Sequence, residues 1–349
     1  MKKIAVLFQA FPTPTMEGVT KPVKEGGYSD SGADLAFALS KSTNKVVTAE
    51  NPPKETVDMG WVFPDTEDGI KSALEQNAKI LWLNTVLYAN HPIQKYKNKG
   101  IEIVGQDPET VEIYDNKWTT NQLLSENNLP IPEAFMIHKD DLNTGQIPLS
   151  YPVILKPIRG RGSQGVKFIK SEKELESGLK KLFESKLFGT SVYVESYLSG
   201  DEITVSIMPP GKYNLNDKKQ LFEKHWCLPP VLRFNHQNGI APYSGSVAVI
   251  HNSRVLSAKE RREPNIQKVL SQCAQAASIL NVKAPIRIDC RANSMGEFHL
   301  FDLNLKPNMT GASRKHRKGN DSLTTIAANA MGCYTHAEIL NILQQKWVL

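Results

Sequence analysis

The chain has 349 residues, 40% hydrophobic and 22% charged, with a net charge of +6; this is a globular composition that excludes a disordered or low-complexity protein. Acidic and basic residues interleave almost everywhere, so phosphate-bearing small molecules account for the positive excess as well as a nucleic acid would. Four widely spaced cysteines (Cys227, Cys273, Cys290, Cys333) argue against a disulfide scaffold or a zinc site, and no apolar run could cross a bilayer, so a cytoplasmic protein is expected.

Residues 4–8 read as a buried first strand whose apolar run stops at Gln9, too early for a signal peptide. A helix is expected to begin over 34–39 and another to span 67–76, with further strands at 45–49, 80–83 and 101–104. Strands alternating with helices imply a doubly wound parallel sheet. Between the first strand and the first helix lies a long connection, residues 11–27, rich in Pro, Thr and Gly; a loop of that length is expected to cover the substrate. Beyond Asp115 the pattern changes. Helices are expected at 117–127, 172–184 and 264–280, and strands at 191–195, 202–208, 246–250, 286–292 and 297–305.

The segment 151–170 holds Gly160, Gly162 and Gly165 in G-x-G-x-x-G spacing. A strand rather than a helix follows, which excludes a dinucleotide fold, and no Gly-Lys-Ser/Thr is present for a Walker loop. What remains is a strand carrying Lys156, a glycine-rich turn and a second strand. Such a turn can bring backbone N–H groups and the lysine to phosphate oxygens, or simply close a hairpin. The connector 194–202 could offer its backbone to an adenine edge, and Glu202 could accept bonds from ribose, or the segment could be a surface crossover.

The sharpest constellation is 286–307. Alternation places Arg287, Asp289 and Arg291 on one strand face and Asp302, Asn304 and Lys306 on the other strand's matching face. Pairing Ala292 with Glu297 would set Arg287 opposite Asp302. Two carboxylates and a carboxamide suit Mg²⁺, with Mn²⁺ as an alternative ion, and Arg287 would offset charge during phosphoryl transfer. The apolar neighbours Ile286, Ile288, Phe301 and Leu303 would bury the opposite face and fix the register.

Together these segments resemble the ATP-grasp superfamily, in its carboxylate–amine ligase branch around D-alanine–D-alanine ligase and L-amino acid ligases. The resemblance runs from about Asp115 to Asn329: Asp115-Asn116-Lys117, the Lys156-Pro157 strand with its glycine turn, the Glu195–Glu202 connector, Arg287-Ile288-Asp289, and Asp302 to Thr310. It implies an α/β domain (1–112) followed by a two-lobed ATP-grasp domain (113–199 and 200–349). It assigns Lys117 and Lys156 to the ATP phosphates and Gly160, Gly162, Ser163 and Gly165 to a flap over them. Glu195 and Leu198 would frame adenine, Glu202 would bind ribose, and Asp289, Asp302 and Asn304 would hold Mg²⁺. Three positions depart from the family: Asp302 where Glu is usual, Asn308 where Gly is usual, and Lys306 where a small residue is usual.

The implied reaction joins a small-molecule carboxylate to an amine through an acyl phosphate, with release of ADP and phosphate. Arg287 and Lys306 would be its catalytic cations. A carboxylase, a small-molecule kinase or a nucleotide-binding protein without turnover are the alternatives. No nucleic-acid or membrane partner is expected, and a homodimer is compatible with the sequence. The basic run 314–318 reads as a solvated face or, less simply, as a binder of a substrate anion, with Ser313 sharing that role. Arg233 and residues 235–246 read either as a mobile cover over the acyl phosphate or as a surface excursion. His225, His236 and His251 lack metal-ligand spacing.

Overall fold

A computed structural model of the chain describes every residue except 1, 44, 141–146, 161, 237–238, 241–247, 312, 318 and 334, and the side chains of 43 and 335–337. The first sheet is built from β1 (Lys3–Phe8), β2 (Phe63–Pro64), β3 (Ala78–Asn84) and β4 (Glu102–Val104), all parallel. Helices α1 (Ser29–Thr43) and α2 (Glu67–Glu75) lie in its crossovers, and α3 (Pro108–Tyr114) leads out of it. The expected strand at 45–49 does not form: Val46 makes a single bridge to Ile4, and β2 takes the place beside β1. Lys45 and Asn51-Pro52-Pro53 flank this apolar stretch, and the chain turns away after one pairing.

Helix α4 (Lys117–Glu126) is capped by Asn116, whose side chain accepts from the Thr119 amide. A four-stranded antiparallel sheet follows in the order β5 (Ala134–His138), β8 (Ser191–Ser196), β6 (Val153–Pro157), β7 (Lys167–Ile169), with α5 (Glu172–Glu184) packed on it. Leu155, Leu175, Leu179, Leu182, Val192 and Val194 form a core belonging to this small lobe alone. The remaining strands are β9 (Glu202–Met208), the hairpin β10 (Gly211–Leu215) and β11 (Lys218–Phe222), β12 (Trp226–Cys227), β13 (Val231–Arg233), β14 (Ser253–Val255), β15 (Ile286–Ala292) and β16 (Phe298–Asn304). The order β14-β13-β9-β15-β16, with β12 also paired to β9, makes the large antiparallel sheet, and α6 (Pro264–Ile279) packs against it. Residues 246–247 of the strand expected at 246–250 lie outside the described residues, and Val249–His251 is a 3₁₀ turn.

The chain ends with α7 (Leu323–Asn329), α8 (Thr335–Gln344) and β17 (Trp347–Val348), and β17 pairs antiparallel with β4 on the first sheet. Two apolar cores run continuously from the first sheet into the large sheet: one joins Leu7 and Leu81 to Ile288 and Cys273, the other joins Val6 and Leu35 to Ile339 and Val231. The first and large sheets are therefore welded, while the small lobe is not. No helix among the described residues is long and apolar enough to cross a membrane.

Glu338 on α8 lies 2% exposed in the second of these cores, and burial, reinforced by Asp321, raises its pKa to about 8. The folded chain thus holds a proton that the unfolded chain releases near the ordinary carboxylate range. Between about pH 4.5 and 8 the unfolded state binds fewer protons, so stability falls as pH rises, by up to ~1.4 kcal/mol per unit. The expected result is a denaturation midpoint that declines across this window in the wild type and declines less in Glu338→Gln. Equal slopes in chemical denaturation would contradict it.

Candidate active site

The site is built on the large sheet, where cross-strand pairing sets polar side chains in three rows. Arg233, Glu202 and Arg291 form one row, Thr204, Asp289 and Asp302 the next, and Ser206, Arg287 and Asn304 the third. Ile286, Ile288, Cys290, Ala292, Phe298 and Leu300 point the other way, into the core. The hairpin register differs from the sequence expectation. Ala292 pairs with Phe298 rather than Glu297, and Arg287 faces Asn304 rather than Asp302.

The cause is a β-bulge. Cys290 pairs with Leu300 but Asp289 pairs with Asp302, which leaves Phe301 as an extra residue on β16. A bulge shifts the alternation by one, so Phe298 and Leu300 face the core before it, while Asp302, Asn304 and Lys306 face the cavity after it. Phe301 therefore does not share the buried face with Leu303. Its carbonyl accepts from Lys156 Nζ at 3.2 Å, and its ring lies 4.8 Å from that ammonium.

All of the side chains in these rows except Thr204 and Ser206 line a cavity of about 430 Å³ between the sheets. Lys117, at the first turn of α4, reaches into it and pairs with Asp302. Burial alone would lower the Lys117 pKa, but the Asp302 carboxylate reverses that and the net direction is upward. For Asp302, burial pushes upward, but Lys117 and Lys156 outweigh it and hold the carboxyl below its ordinary range. Lys156, buried on β6, pairs with Glu195 of β8 at 2.5 Å. Burial raises the Glu195 pKa against the opposing pull of Lys156. Asp289 accepts from Thr204 Oγ1 at 2.7 Å and lies 3.2 Å from Arg287. Glu202 is engaged by His236 at 2.9 Å and by Arg291 at 3.7 Å, so His236 is a carboxylate partner here. The Asn304 side-chain oxygen accepts from the Lys306 amide at 2.9 Å.

Gly160, Gly162, Ser163, Leu198 and Lys306 also line the cavity; Gly165 does not. Its φ of +76° and the 2.7 Å that would separate a Cβ from Pro157 Cγ mark it as the residue that closes the β6–β7 turn. The connection 11–27 forms a wall. Glu17 pairs with Arg159 at 2.7 Å, Lys21 pairs with Asp115, and Lys21, Lys24 and Tyr28 line the cavity. The basic run lies elsewhere. Arg314, with a fully buried side chain, binds Asp34 at 2.7 Å and Asp58 at 2.7 Å, and Arg317 binds Asp30 and Asp34 at 3.1 Å each. Neither arginine touches the cavity; both clamp α1, so the run is neither a solvated face nor an anion binder at these positions, and Lys318 lies outside the described residues. Ser313 Oγ likewise donates to Asp34 O at 3.3 Å. Of the cover expected over 235–246, residues 237–238 and 241–246 lie outside the described residues, while Arg233 is buried and lines the cavity.

Among the described residues no three His, Cys, Asp or Glu side chains are grouped to hold a metal. The facing pair Asp289 and Asp302 with the Asn304 carboxamide nonetheless fits Mg²⁺ chemically, since all three are hard oxygen donors and the remaining positions suit substrate phosphates.

The family model described as D-ala D-ala ligase C-terminus matches residues 123–320, more than half of the chain. The chain belongs to this family. A D-alanine–D-alanine ligase of Trichlorobacter lovleyi is 28% identical over 185 residues, 52% of each chain, so the match spans about half of that relative's length. The solved D-alanine–D-alanine ligase of Bacillus anthracis complexed with ATP superposes with a TM-score of 0.64 at 20% identity, covering 99% of this chain and 96% of that one. The D-Ala:D-Ser ligase of Enterococcus faecalis gives a TM-score of 0.62 at 14% identity, covering 98% of each. This D-ala D-ala ligase C-terminus family member has the ATP-grasp fold of those neighbours, mixed α/β with several sheets, as its sequence implied.

Proposed function

We propose that the chain is an ATP-dependent, ADP-forming carboxylate–amine ligase acting on amino acids or other small amines through an acyl phosphate. The observation that carries this reading is the convergence of Lys117, Lys156, Arg287, Asp289, Asp302 and Asn304 on one cavity beneath a glycine-rich turn. The units 1–112, 113–199 and 200–349 enclose that cavity, with the adenine beside Leu198 and the connector to β9. Lys117 and Lys156 bind the phosphates, Gly160, Gly162 and Ser163 lie over them, and Glu202, held by His236 and Arg291, accepts from the ribose. Mg²⁺, held by Asp289, Asp302 and Asn304, supplies charge neutralisation for phosphoryl transfer when bound. Lys117 also pairs with Asp302, so one lysine serves both the phosphate site and a metal-binding carboxylate. Arg287 offsets the negative charge that develops on the transferred group and then on the oxygen of the tetrahedral intermediate. The wall formed by 11–27 excludes water that would hydrolyse an acyl phosphate.

The test is phosphate release from ATP and Mg²⁺ across a matrix of amino-acid pairs, with products identified by mass. Release that requires a particular pair, together with the matching dipeptide, is the expected result. ATP binding with no release under any pair would favour a nucleotide-binding protein without turnover, and absence of ATP binding would end the ligase reading.

A further inference from the structure

The connection 11–27 doubles back in a tight turn, and the tip of that turn touches the small lobe. Met16 and Val19 exchange backbone bonds at 3.0 and 2.8 Å, which makes Glu17 and Gly18 the central residues. Their φ values are +52° and +76°, both in the left-handed region, as a type I′ turn requires. Gly18 is needed for closeness as well, since a Cβ on it would lie 3.1 Å from Gly189 Cα. Gly189, in the link from α5 to β8, approaches as tightly from the other side. Its φ is +73°, and a Cβ there would lie 2.3 Å from Glu17 O. The turn and the small lobe therefore meet backbone to backbone.

Glu17 is the unexpected residue in this turn. Asn, Asp or Gly is favoured at the first central position, and a glutamate with positive φ is uncommon. Its carboxylate is what holds it there. Glu17 Oε2 accepts from Arg159 Nε at 2.7 Å, and Asn116 Nδ2 donates to Oε1 and Oε2 at 3.3 and 3.1 Å. Arg159 is buried, immediately precedes Gly160, and also donates to Glu112 O at 3.1 Å and to Asp115 Oδ2 at 3.3 Å. Lys21 of the same connection takes the other Asp115 oxygen. The two carboxylates and two cations balance, so the network presents no surplus charge to a ligand. Its work is mechanical: it joins the connection, the start of α4 and the chain that leads from β6 into the glycine turn. The small lobe shares no apolar core with the rest, which leaves bonds like these to hold it down.

We propose that the tip Glu17–Gly18 is a latch between the connection 11–27 and the small lobe, and that Glu17, acting through Arg159, sets how often the lobe lifts to admit or release nucleotide. The inference rests on ATP binding in the cavity beneath the glycine turn. Lifting the lobe requires the tip to part from Gly189 and Glu17 to part from Arg159. The Glu17 side chain is 47% exposed, so its share of the hold is one that salt screens. Arg159 keeps Asp115 when Glu17 is lost, so the glycine turn itself stays anchored. Glu17 is thus a positioning residue that touches no reacting atom.

The experiment follows release of a fluorescent nucleotide, N-methylanthraniloyl-ATP with Mg²⁺, from the full chain on stopped-flow chase with excess ATP. Glu17→Gln should speed release by about 2- to 5-fold, the effect of losing a half-exposed ion pair. That acceleration should shrink as ionic strength rises, because salt already weakens the wild-type pair. Glu17→Asn separates the latch from a merely structural role. Asn suits the turn better than Glu but cannot reach Arg159 as far, so release should quicken while the denaturation midpoint holds or rises. Hydrogen exchange over residues 11–27 of the nucleotide-free chain should be faster in Glu17→Gln than in the wild type. Release at the wild-type rate in both variants, or unchanged exchange over 11–27, would overturn the latch. Failure of the ligase reading shows separately, as absence of any bound nucleotide to chase, with the exchange difference intact.

Discussion

Asp302→Ala should lower ATP turnover with Mg²⁺ by roughly 10²–10³, the scale on which a single electrostatic contributor to a charged transition state is lost. The substitution removes one of the two facing carboxylates and at the same time releases Lys117 from its ion pair. These consequences act in opposite directions on nucleotide binding. A phosphate site with an unengaged Lys117 gains attraction for ATP, while the loss of a metal ligand weakens the hold on the Mg²⁺ complex. ATP affinity should therefore change little while kcat falls, and the Mg²⁺ concentration giving half-maximal rate should rise. Asp302→Glu adds one methylene and reproduces the residue usual in the family, so it should retain most of the activity. A variant Asp302→Ala with wild-type kcat at saturating Mg²⁺ would remove this carboxylate from the chemistry.

Arg314→Ala should destabilise the fold by about 3–5 kcal/mol, because breaking a buried ion pair on one side leaves the other charge uncompensated. Arg314 is 1% exposed, and its guanidinium also donates to Glu55 O at 3.1 Å and Asp30 O at 2.9 Å. Asp34 is equally buried and would keep only Arg317. The expected readout is a fall in the denaturation midpoint without a change in cavity chemistry. Arg314→Lys should recover little, since an ammonium lacks the planar fork that serves four acceptors at once. Arg314→Met combined with Asp34→Asn should be more stable than Arg314→Ala alone, because no buried charge is left unpaired. A midpoint unchanged in Arg314→Ala would show that the clamp carries no net stability.

Much of the site could be read from local pattern. The residues of 286–307 alternate apolar and polar, and the shared face of Arg287, Asp289 and Arg291 followed from that alternation with no tertiary information. Their register did not, because a bulge is a one-residue event. Yet its trace is in the sequence: Phe298 and Leu300 are apolar on even numbers, Leu303 and Leu305 on odd ones, and the change of phase falls at Phe301-Asp302. The glycine turn was also legible, apart from the role of Gly165, which depends on where Pro157 lies.

The part played by the connection 11–27 was harder to see. Glu17, Lys21 and the Tyr28 that follows them meet Arg159, Asp115 and Lys306, about 90 to 280 positions away, and no spacing rule relates such residues. The basic run misleads for the same reason. Arg314 and Arg317 face Asp30 and Asp34, a helical i, i+4 pair whose match to the arginines appears only once α1 is docked.

The small lobe keeps its own core, while the first and large sheets share two. Its ties to the rest of the chain near the site are polar ones, among them the bond from Lys156 to Phe301 O and the pair of Arg159 with Glu17. The protein is thus two cooperative blocks of unequal size, and heat need not melt them together. A molecule gripped by both blocks stabilises whichever would otherwise open first, and its affinity is written into how closely their two melting transitions coincide.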